Sequence, residues 1–252
     1  MKKLLSLIAS LAIIACAQIP NEATKTVVFT LAGVESGSLT KALADDVSAA
    51  VVATAPDTDA EIIVQSTTKT ARTYVGCVGE PITLAYDSYH VYGEYRPASH
   101  GTIFYSTIYR EPPYTVEGDI TVTDADESYP LEVAYNCFAL VIDYSKVSSV
   151  ELSNSNKVFA DCTDEFVKVG NIGILYLTQP GSYNAQNPFK VRVYPKDEAN
   201  YEYAEFVLTA SGGSSAVKIE KGKWYCFNPT AVETTSGDFT LTFPSFSEGV
   251  TE

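Results

Sequence analysis

The chain has 252 residues and a formal net charge of −14, because 31 Asp and Glu residues outnumber 17 Lys and Arg residues. A chain this acidic repels nucleic-acid phosphates and anionic membrane surfaces, which excludes nucleic-acid binding and surface-charge attraction to lipid. The hydrophobic fraction of 46% suffices for a buried core, and the length suits two small domains or one large sandwich.

The first 15 residues predict a secretory leader. Lys2 and Lys3 are basic, and the apolar stretch 4–15 is too short to cross a hydrocarbon core of ~30 Å. Ile13-Ile14-Ala15-Cys16 resembles the lipobox of bacterial lipoproteins, in which a small residue precedes the cysteine that takes diacylglycerol. We predict a signal peptide over 1–15 and lipidation of Cys16, with an ordinary signal peptide as the alternative. The mature chain would have 237 residues and, without the two leader lysines, a net charge of −16.

The next segments lead from the tether into the fold. Residues 16–25 are polar and predict a lipidated tether, and residues 26–32 alternate in a way that predicts the first strand. An alanine-rich stretch follows, in which apolar residues recur at helical spacing. It predicts one short helix within 40–55, with a strand over 49–54 as the alternative.

The rest of the chain predicts many short strands separated by turn residues such as Pro180-Gly181 and Gly212-Gly213. This pattern is typical of antiparallel β-sandwiches. The predicted strands cover residues 61–65, 72–76, 81–95 in two segments joined at Asp87-Ser88, 101–109, 120–123, 147–152, 166–169, 173–178, 189–194, 205–210, 217–220, 224–228 and 239–243.

Residues 131–144 are the most apolar run of the mature chain and predict its central strand. One face is apolar throughout, whereas the other carries Glu132 and Asn136 and turns apolar only from Phe138 onward. Such a strand begins with one face in solvent and ends covered on both. The acidic stretch 124–128 before it predicts the boundary between an N-terminal sandwich over 26–128 and a C-terminal sandwich over 129–252.

Four cysteines other than Cys16 allow two interpretations. A secreted compartment permits disulfides, but the apolar surroundings of Cys137 and Cys226 suit buried thiols equally well. The remaining two are Cys77 and Cys162.

No constellation in the sequence predicts an enzyme, a metal site or a cofactor. The cysteine spacings do not fit zinc, and neither His90 nor His100 has a partner at metal-binding spacing. Catalytic serine, zinc-protease and phosphate-loop motifs are absent from the sequence. Asp124, Asp126 and Glu127 could collect calcium, but without an EF-hand glycine and distal glutamate they are better interpreted as a solvated linker.

Seven tyrosines fall within 29 residues, at positions 86, 89, 92, 95, 105, 109 and 114. Their spacing of about three suits neither a strand nor a helix, so the rings must divide between a packed and a solvent face. Packing is the simpler explanation. Binding of protein or sugar is the alternative, because tyrosines in sandwich loops offer flat surfaces with a polar tip. The candidate ligand-binding residues are Tyr95, Arg96, Tyr105, Tyr109 and Arg110.

Four segments together resemble the Bacteroidales fimbrillin-type surface lipoproteins. They are the lipobox, residues 82–92 (Ile-Thr-Leu-Ala-Tyr-Asp-Ser-Tyr-His-Val-Tyr), residues 129–135 (Tyr-Pro-Leu-Glu-Val-Ala-Tyr) and residues 219–225 (Ile-Glu-Lys-Gly-Lys-Trp-Tyr). This chain departs from that family at Asp87, where a small residue is usual. The resemblance implies an all-β chain of two antiparallel sandwich domains, transthyretin-like or Ig-like, that is lipid-anchored at the outer membrane and not an enzyme.

The resemblance also implies partners. In fimbrillin-type proteins an extended segment of one subunit completes a sheet of the next, and the candidates here are residues 26–32 and 239–243. The expected role is shaft, tip or anchor in a surface filament or adhesion structure, with the membrane contacted through the lipid alone. The alternative is a surface lipoprotein that binds a host or glycan ligand through residues 86–114.

Overall fold

The structure is a computed structural model that describes residues 22–32, 46–47, 49–50, 60–103, 106–153, 159–178, 183–197, 202–213, 216–229 and, for the backbone, 233–238. Cys16, Tyr105 and the predicted strand 239–243 lie outside these residues. Of the predicted helix over 40–55, residues 46, 47, 49 and 50 have helical backbone, and the remainder lies outside the described part. Within the described ranges, no helix is long and apolar enough to cross a membrane.

The described residues form an all-β fold, as predicted. Its first ten strands are β1 (Thr24–Leu31), β2 (Glu61–Ser66), β3 (Thr73–Cys77), β4 (Pro81–Ala85), β5 (Ser88–Tyr95), β6 (Ser99–Ile103), β7 (Ser106–Tyr109), β8 (Tyr114–Thr121), β9 (Ser128–Tyr135) and β10 (Cys137–Asp143). The others are β11 (Val147–Ser153), β12 (Phe159–Asp161), β13 (Val167–Val169), β14 (Ile172–Thr178), β15 (Phe189–Pro195), β16 (Ala204–Thr209), β17 (Val217–Lys218), β18 (Lys223–Asn228) and β19 (Glu233–Asp238).

These strands pair into three sheets. The first has the order β3-β2-β5-β8-β9-β1-β4. The second has the order β19-β18-β10-β14-β7-β6, with β13 also paired to β14, and the third has the order β12-β11-β15-β16-β17. Most pairs are antiparallel, as expected, but β1 pairs with β9, β10 with β18 and β16 with β17 in parallel.

The second sheet lies between two hydrophobic cores. Strand β10 directs Cys137, Ala139 and Val141 into the first core, where they meet side chains of the first sheet such as Phe29 and Tyr89. The alternate side chains of β10 enter the second core, which the third sheet covers. Both faces of β10 are therefore removed from water, and each of its residues from Cys137 to Ile142 has no exposed surface.

The predicted central strand over 131–144 is two strands in different sheets, so the prediction of one strand was wrong. Strand β9 ends at Tyr135 in the first sheet, and β10 begins at Cys137 in the second. Asn136 lies at the bend, where its amide donates to the carbonyl of Pro113 at 3.0 Å. The predicted change of environment along the run is confirmed, since β9 exposes Glu132 and β10 is buried on both faces.

Strands that precede residue 128 pair with strands that follow it in both the first and the second sheet. Strand β9, which follows that residue, pairs with β1 and β8, which precede it. The hairpin of β6 and β7 precedes it and joins the second sheet through β14. The two cores therefore share one sheet, and the division of the chain into domains at residue 128 stays a prediction.

The buried cysteines are thiols. Cys137, Cys162 and Cys226 lie in the two cores, while Cys77 is half-buried at the end of β3. Burial raises the pKa of all three buried thiols, that of Cys226 to about 12, so they stay protonated and unreactive at neutral pH. They serve as small hydrophobic side chains, which is one of the two interpretations that the sequence left open.

Candidate functional site

Strand β1 occupies a slot between two other strands of the first sheet. It pairs with β4 on one side, from Thr24 opposite Ala85 onward, and with β9 on the other. Val27 and Phe29 point into the first core and have no exposed surface. The backbone of β1 also makes a hydrogen bond outside its two strand ladders, because the backbone amide of Gly79 donates to the carbonyl of Phe29 at 2.9 Å. Removal of β1 would uncover two strand edges and part of the core at once.

A buried carboxylate organises the loop between β2 and β3. Asp87 accepts hydrogen bonds from the hydroxyls of Thr68 at 2.6 Å and Ser66 at 2.7 Å, and from the Ser88 amide at 2.9 Å. Arg72, itself only 10% exposed, lies 3.3 Å from the same carboxylate. Asp87 is thus a fully partnered structural residue, which accounts for an acidic side chain at a position where small residues are usual.

The same loop connects to the segment that precedes β1. Glu22 forms ion pairs with both Lys69 and Arg72, so Arg72 bridges Glu22 and Asp87. The amide of Tyr86 donates to the carbonyl of Ala23 at 3.0 Å on the other side of the entering chain. The N-terminal end of β1 is therefore attached to the fold by charge as well as by its ladders.

Acid should weaken this attachment. Burial by itself raises the pKa of the Asp87 carboxyl, but its hydrogen bonds and the Arg72 charge outweigh burial, so the net pKa lies below its ordinary value. A lowered folded-state pKa means that the stabilisation is complete above roughly pH 4 and is lost as the pH falls through the folded-state value. Asp87→Asn should therefore cost about 1–3 kcal/mol in the free energy of unfolding at pH 7 and much less near pH 2–3.

Urea unfolding at the two pH values checks this prediction. Asp197→Asn serves as the matched control, because Asp197 is exposed and should change stability by less than ~0.5 kcal/mol at either pH. An equal loss for Asp87→Asn at both pH values would show that its charge does not matter.

Four of the five predicted ligand-binding residues lie in the described part of the chain, and their surroundings differ. Tyr95 and Tyr109 are half-buried and pack against the first core, and the ring of Tyr95 stacks on Tyr114 at 5.2 Å. Arg96 is 73% exposed and pairs with Glu94 at 3.0 Å, on the first sheet. The guanidinium of Arg110 lies 2.9 Å from His100. The tyrosines divide between packed and exposed positions, since Tyr89 is fully buried whereas Tyr86 and Tyr92 are each 38% exposed.

A row of side chains that the sequence did not single out crosses the outer face of the first sheet. The register places Ile63 opposite both Val75 and Tyr92, Tyr92 opposite Glu117, and Glu117 opposite Glu132. The row therefore spans five neighbouring strands, a width of about 19 Å at ~4.8 Å per strand. Its β3 end is apolar, with Val75 65% exposed, and its β9 end is acidic.

An open groove of ≈ 740 Å³ lies over this face and is lined by side chains of β2, β5 and β8. His90 stacks on Tyr92 with 5.5 Å between the ring centroids. Its two ring nitrogens lie 2.8 Å from Asp119 and 3.6 Å from Glu117. In the ranges that the structure describes, no group of three or more His, Cys, Asp or Glu residues is arranged to hold a metal ion. The groove offers an aromatic surface beside carboxylates, which suits recognition better than bond chemistry.

Comparison with known proteins gives structural neighbours without a sequence family. Neither a family profile nor a curated protein matches the sequence. The C-terminally truncated tip fimbrial protein Mfa3 from Porphyromonas gingivalis aligns with TM-score 0.46 and 10% identity over 85% of this chain and 100% of that chain.

Two further neighbours have similar values. A fimbrial assembly protein from Parabacteroides distasonis aligns with TM-score 0.40 and 11% identity over 86% of this chain and 100% of that chain. A candidate cell adhesion protein from Bacteroides uniformis aligns with TM-score 0.41 and 13% identity over 74% and 93%. These three neighbours are described as fimbrial or cell adhesion proteins.

Proposed function

We propose that this chain is a non-enzymatic, lipid-anchored subunit of a surface filament or adhesion structure and that it joins its neighbours by β-strand addition. The observation that supports the proposal is the place of β1. It is the first strand after the tether, it lies between β4 and β9, and it buries Val27 and Phe29 completely. A strand at that place can be exchanged for an equivalent strand of another subunit without rethreading the chain.

A slot filled by the strand of another subunit has a lower free energy than an empty slot. Each ladder bond contributes about 1 kcal/mol net, and each large side chain that enters the core contributes ~1.5–3 kcal/mol. An empty slot forgoes all of these terms and exposes unpaired amides and carbonyls on β4 and β9. Backbone hydrogen bonds would therefore supply affinity, and pockets for the side chains at positions 27 and 29 would supply specificity.

The same proposal includes the finer architecture. The first sheet curls so that its edge strands β3 and β4 approach, and the Ala85 amide lies 3.5 Å from the Tyr74 hydroxyl. We assign this sheet to one sandwich of the transthyretin-like or Ig-like kind. The second and third sheets, with the second core between them, form the other.

Anchoring through Cys16 is the part of the proposal with the simplest test. Cys16→Ser should release the protein from the membrane fraction and abolish its labelling with radioactive palmitate, because no thiol remains to take the lipid. Antibody labelling of whole cells by electron microscopy should lose the surface signal at the same time.

The control is a substitution at the residue next to Cys16. Ala17→Ser changes the neighbouring residue without removing a thiol and should leave the protein in the membrane fraction. Retention of Cys16→Ser in the membrane would contradict the anchor, and surface filaments unchanged in cells that lack the protein would contradict the role in a filament.

Ligand binding by Tyr95, Arg96, Tyr105, Tyr109 and Arg110 stays the alternative. Its support is weaker, because the rings of Tyr95 and Tyr109 contribute to packing of the first core. A host or glycan ligand would then have to contact what remains exposed of these residues.

A further inference from the structure

The outer face of the first sheet holds its charges in an unfavourable arrangement. The strand register puts Glu61 directly opposite Glu94 and Glu117 directly opposite Glu132. Like charges at directly opposed positions of a sheet repel and destabilise the pairing. Glu94 is relieved by Arg96 at 3.0 Å. Among the described residues, no Lys or Arg lies within 4.0 Å of the carboxylates of Glu61, Glu117 or Glu132.

Apolar surface is exposed on the same face. Val75, Ile63 and Tyr92 form the apolar half of the row that crosses the sheet, and Glu117 and Glu132 form its acidic half. Val75 and Tyr92 are two of the three exposed large hydrophobic side chains in the described part of the chain. In the isolated protein, the repulsion between carboxylates and the exposure of apolar side chains both cost free energy. One kind of partner would relieve both costs.

We propose that this face is a docking surface for a cationic polypeptide segment of a partner protein, with lysine or arginine side chains flanking at least one apolar side chain. The cations would lie between the opposed carboxylates, and one could also stack on the exposed ring of Tyr92. The apolar side chain would cover Val75 and Ile63. Charge complementarity favours this occupant, because the groove is lined by Glu61, Glu94 and Glu117, whereas its basic lining residues are Arg96 and His90.

The dimensions suit a short extended segment. A row of about 19 Å is matched by roughly six residues of extended chain. Because the carboxylates are exposed, with 73% of Glu117 and 84% of Asp119 accessible, binding should weaken as salt screens the charges. This inference does not depend on exchange of β1, which lies outside the groove on the far side of β9.

The test uses residues 16–252 with Cys16→Ser and a fluorescent peptide of about seven alternating lysine and leucine residues. Fluorescence anisotropy measures its Kd at about 25 mM and about 300 mM salt, and we expect clearly weaker binding at the higher concentration. Glu61→Gln with Glu117→Gln removes one carboxylate from each opposed pair. We expect this double variant to weaken binding about ten-fold or more at low salt.

The controls separate a docking surface from simple attraction to an acidic protein. Glu127→Gln with Glu202→Gln removes two exposed carboxylates elsewhere and should change the Kd by less than about two-fold. Tyr92→Ala should weaken binding several-fold at either salt concentration. The Glu61→Gln and Glu117→Gln variant should also melt roughly 1–2 °C higher than the parent, because it relieves the repulsion.

Three results would overturn the proposal. One is equal weakening by the control pair, which would mean that net charge alone holds the peptide. Another is unchanged binding in Tyr92→Ala. The third is a neutral oligosaccharide that binds the parent chain, displaces the peptide and depends on Tyr92, which would assign the groove to sugars.

Discussion

A chain that lacks residues 17–32 is expected to be barely stable alone and to recover when a synthetic peptide covering Thr24–Leu31 is added. The deletion empties the slot between β4 and β9 and removes Val27 and Phe29 from the first core. The two side chains account for ~3–6 kcal/mol and the lost ladder bonds for several more, which matches the whole stability of a typical domain of ~5–15 kcal/mol.

Circular dichroism and thermal melting with and without the peptide measure the rescue, and size-exclusion chromatography shows whether the peptide stays bound. A peptide with Phe29→Asp is the matched control, since it keeps the backbone donors and acceptors but cannot enter the core. A truncated chain that is as stable as the parent would contradict the essential role of β1. Equal rescue by the control peptide would contradict filling of the slot, and a full-length protein that stays monomeric with every other surface subunit would remove the filament assignment.

Phe138→Ala or Leu140→Ala should each cost ~2–5 kcal/mol in the free energy of unfolding. Both side chains are fully buried on the side of β10 that faces the second core. Truncation removes apolar contacts and leaves a cavity between two sheets whose backbones are held by their own ladders, so the site cannot collapse easily. The expected loss is large because β10 supports both cores.

Urea unfolding gives the change in free energy for each variant. Val75→Ala is the control, because Val75 is 65% exposed and its truncation should change stability by less than ~0.5 kcal/mol. Melting temperatures of Phe138→Ala and Leu140→Ala that equal that of the parent would mean that β10 does not separate the two cores.

Local patterns in the sequence predicted most of the strands. Residues 61–65 are a short apolar run between polar ends and residues 189–194 alternate, and they form β2 and β15 within one residue of the predicted ends. The joint at Asp87-Ser88 was also predicted, and it separates β4 from β5. The prediction succeeded there because short apolar runs and period-two alternation, each bounded by turn residues, depend only on neighbours in the sequence.

The errors arose where a strand's identity depends on distant residues. The run 131–144 changes sheets at Asn136, which local patterns do not distinguish from an outward-facing polar residue within one strand. The chain changes sheets there because β10 pairs with β14 and β18, and both of these strands lie further along the sequence. The strand over 101–109 was likewise predicted as one, whereas it is the β6–β7 hairpin.

The candidate sites also depend on residues that are distant in the sequence, so local patterns did not predict them in full. Asp87 was noted as a departure from a pattern, but its role depends on Arg72 and Thr68 in a loop that folds over it. The acidic and apolar row on the outer face of the first sheet was not predicted at all. It exists only through the register of five strands, and a shift by one residue in any of them would turn its side chain to the core.

The geometry of β1 has a mechanical consequence. Residues 22 and 23 lead directly into β1, so a tensile load on residue 22 along the strand axis would shear the ladders to β4 and β9 together. The bonds then share the force, and the ion pairs of Glu22 with Lys69 and Arg72 stand at the loaded end. A sideways displacement would open the same bonds one after another. The strand therefore resists a pull along its own axis better than a sideways displacement, and this contrast would suit a strand that is loaded from one end.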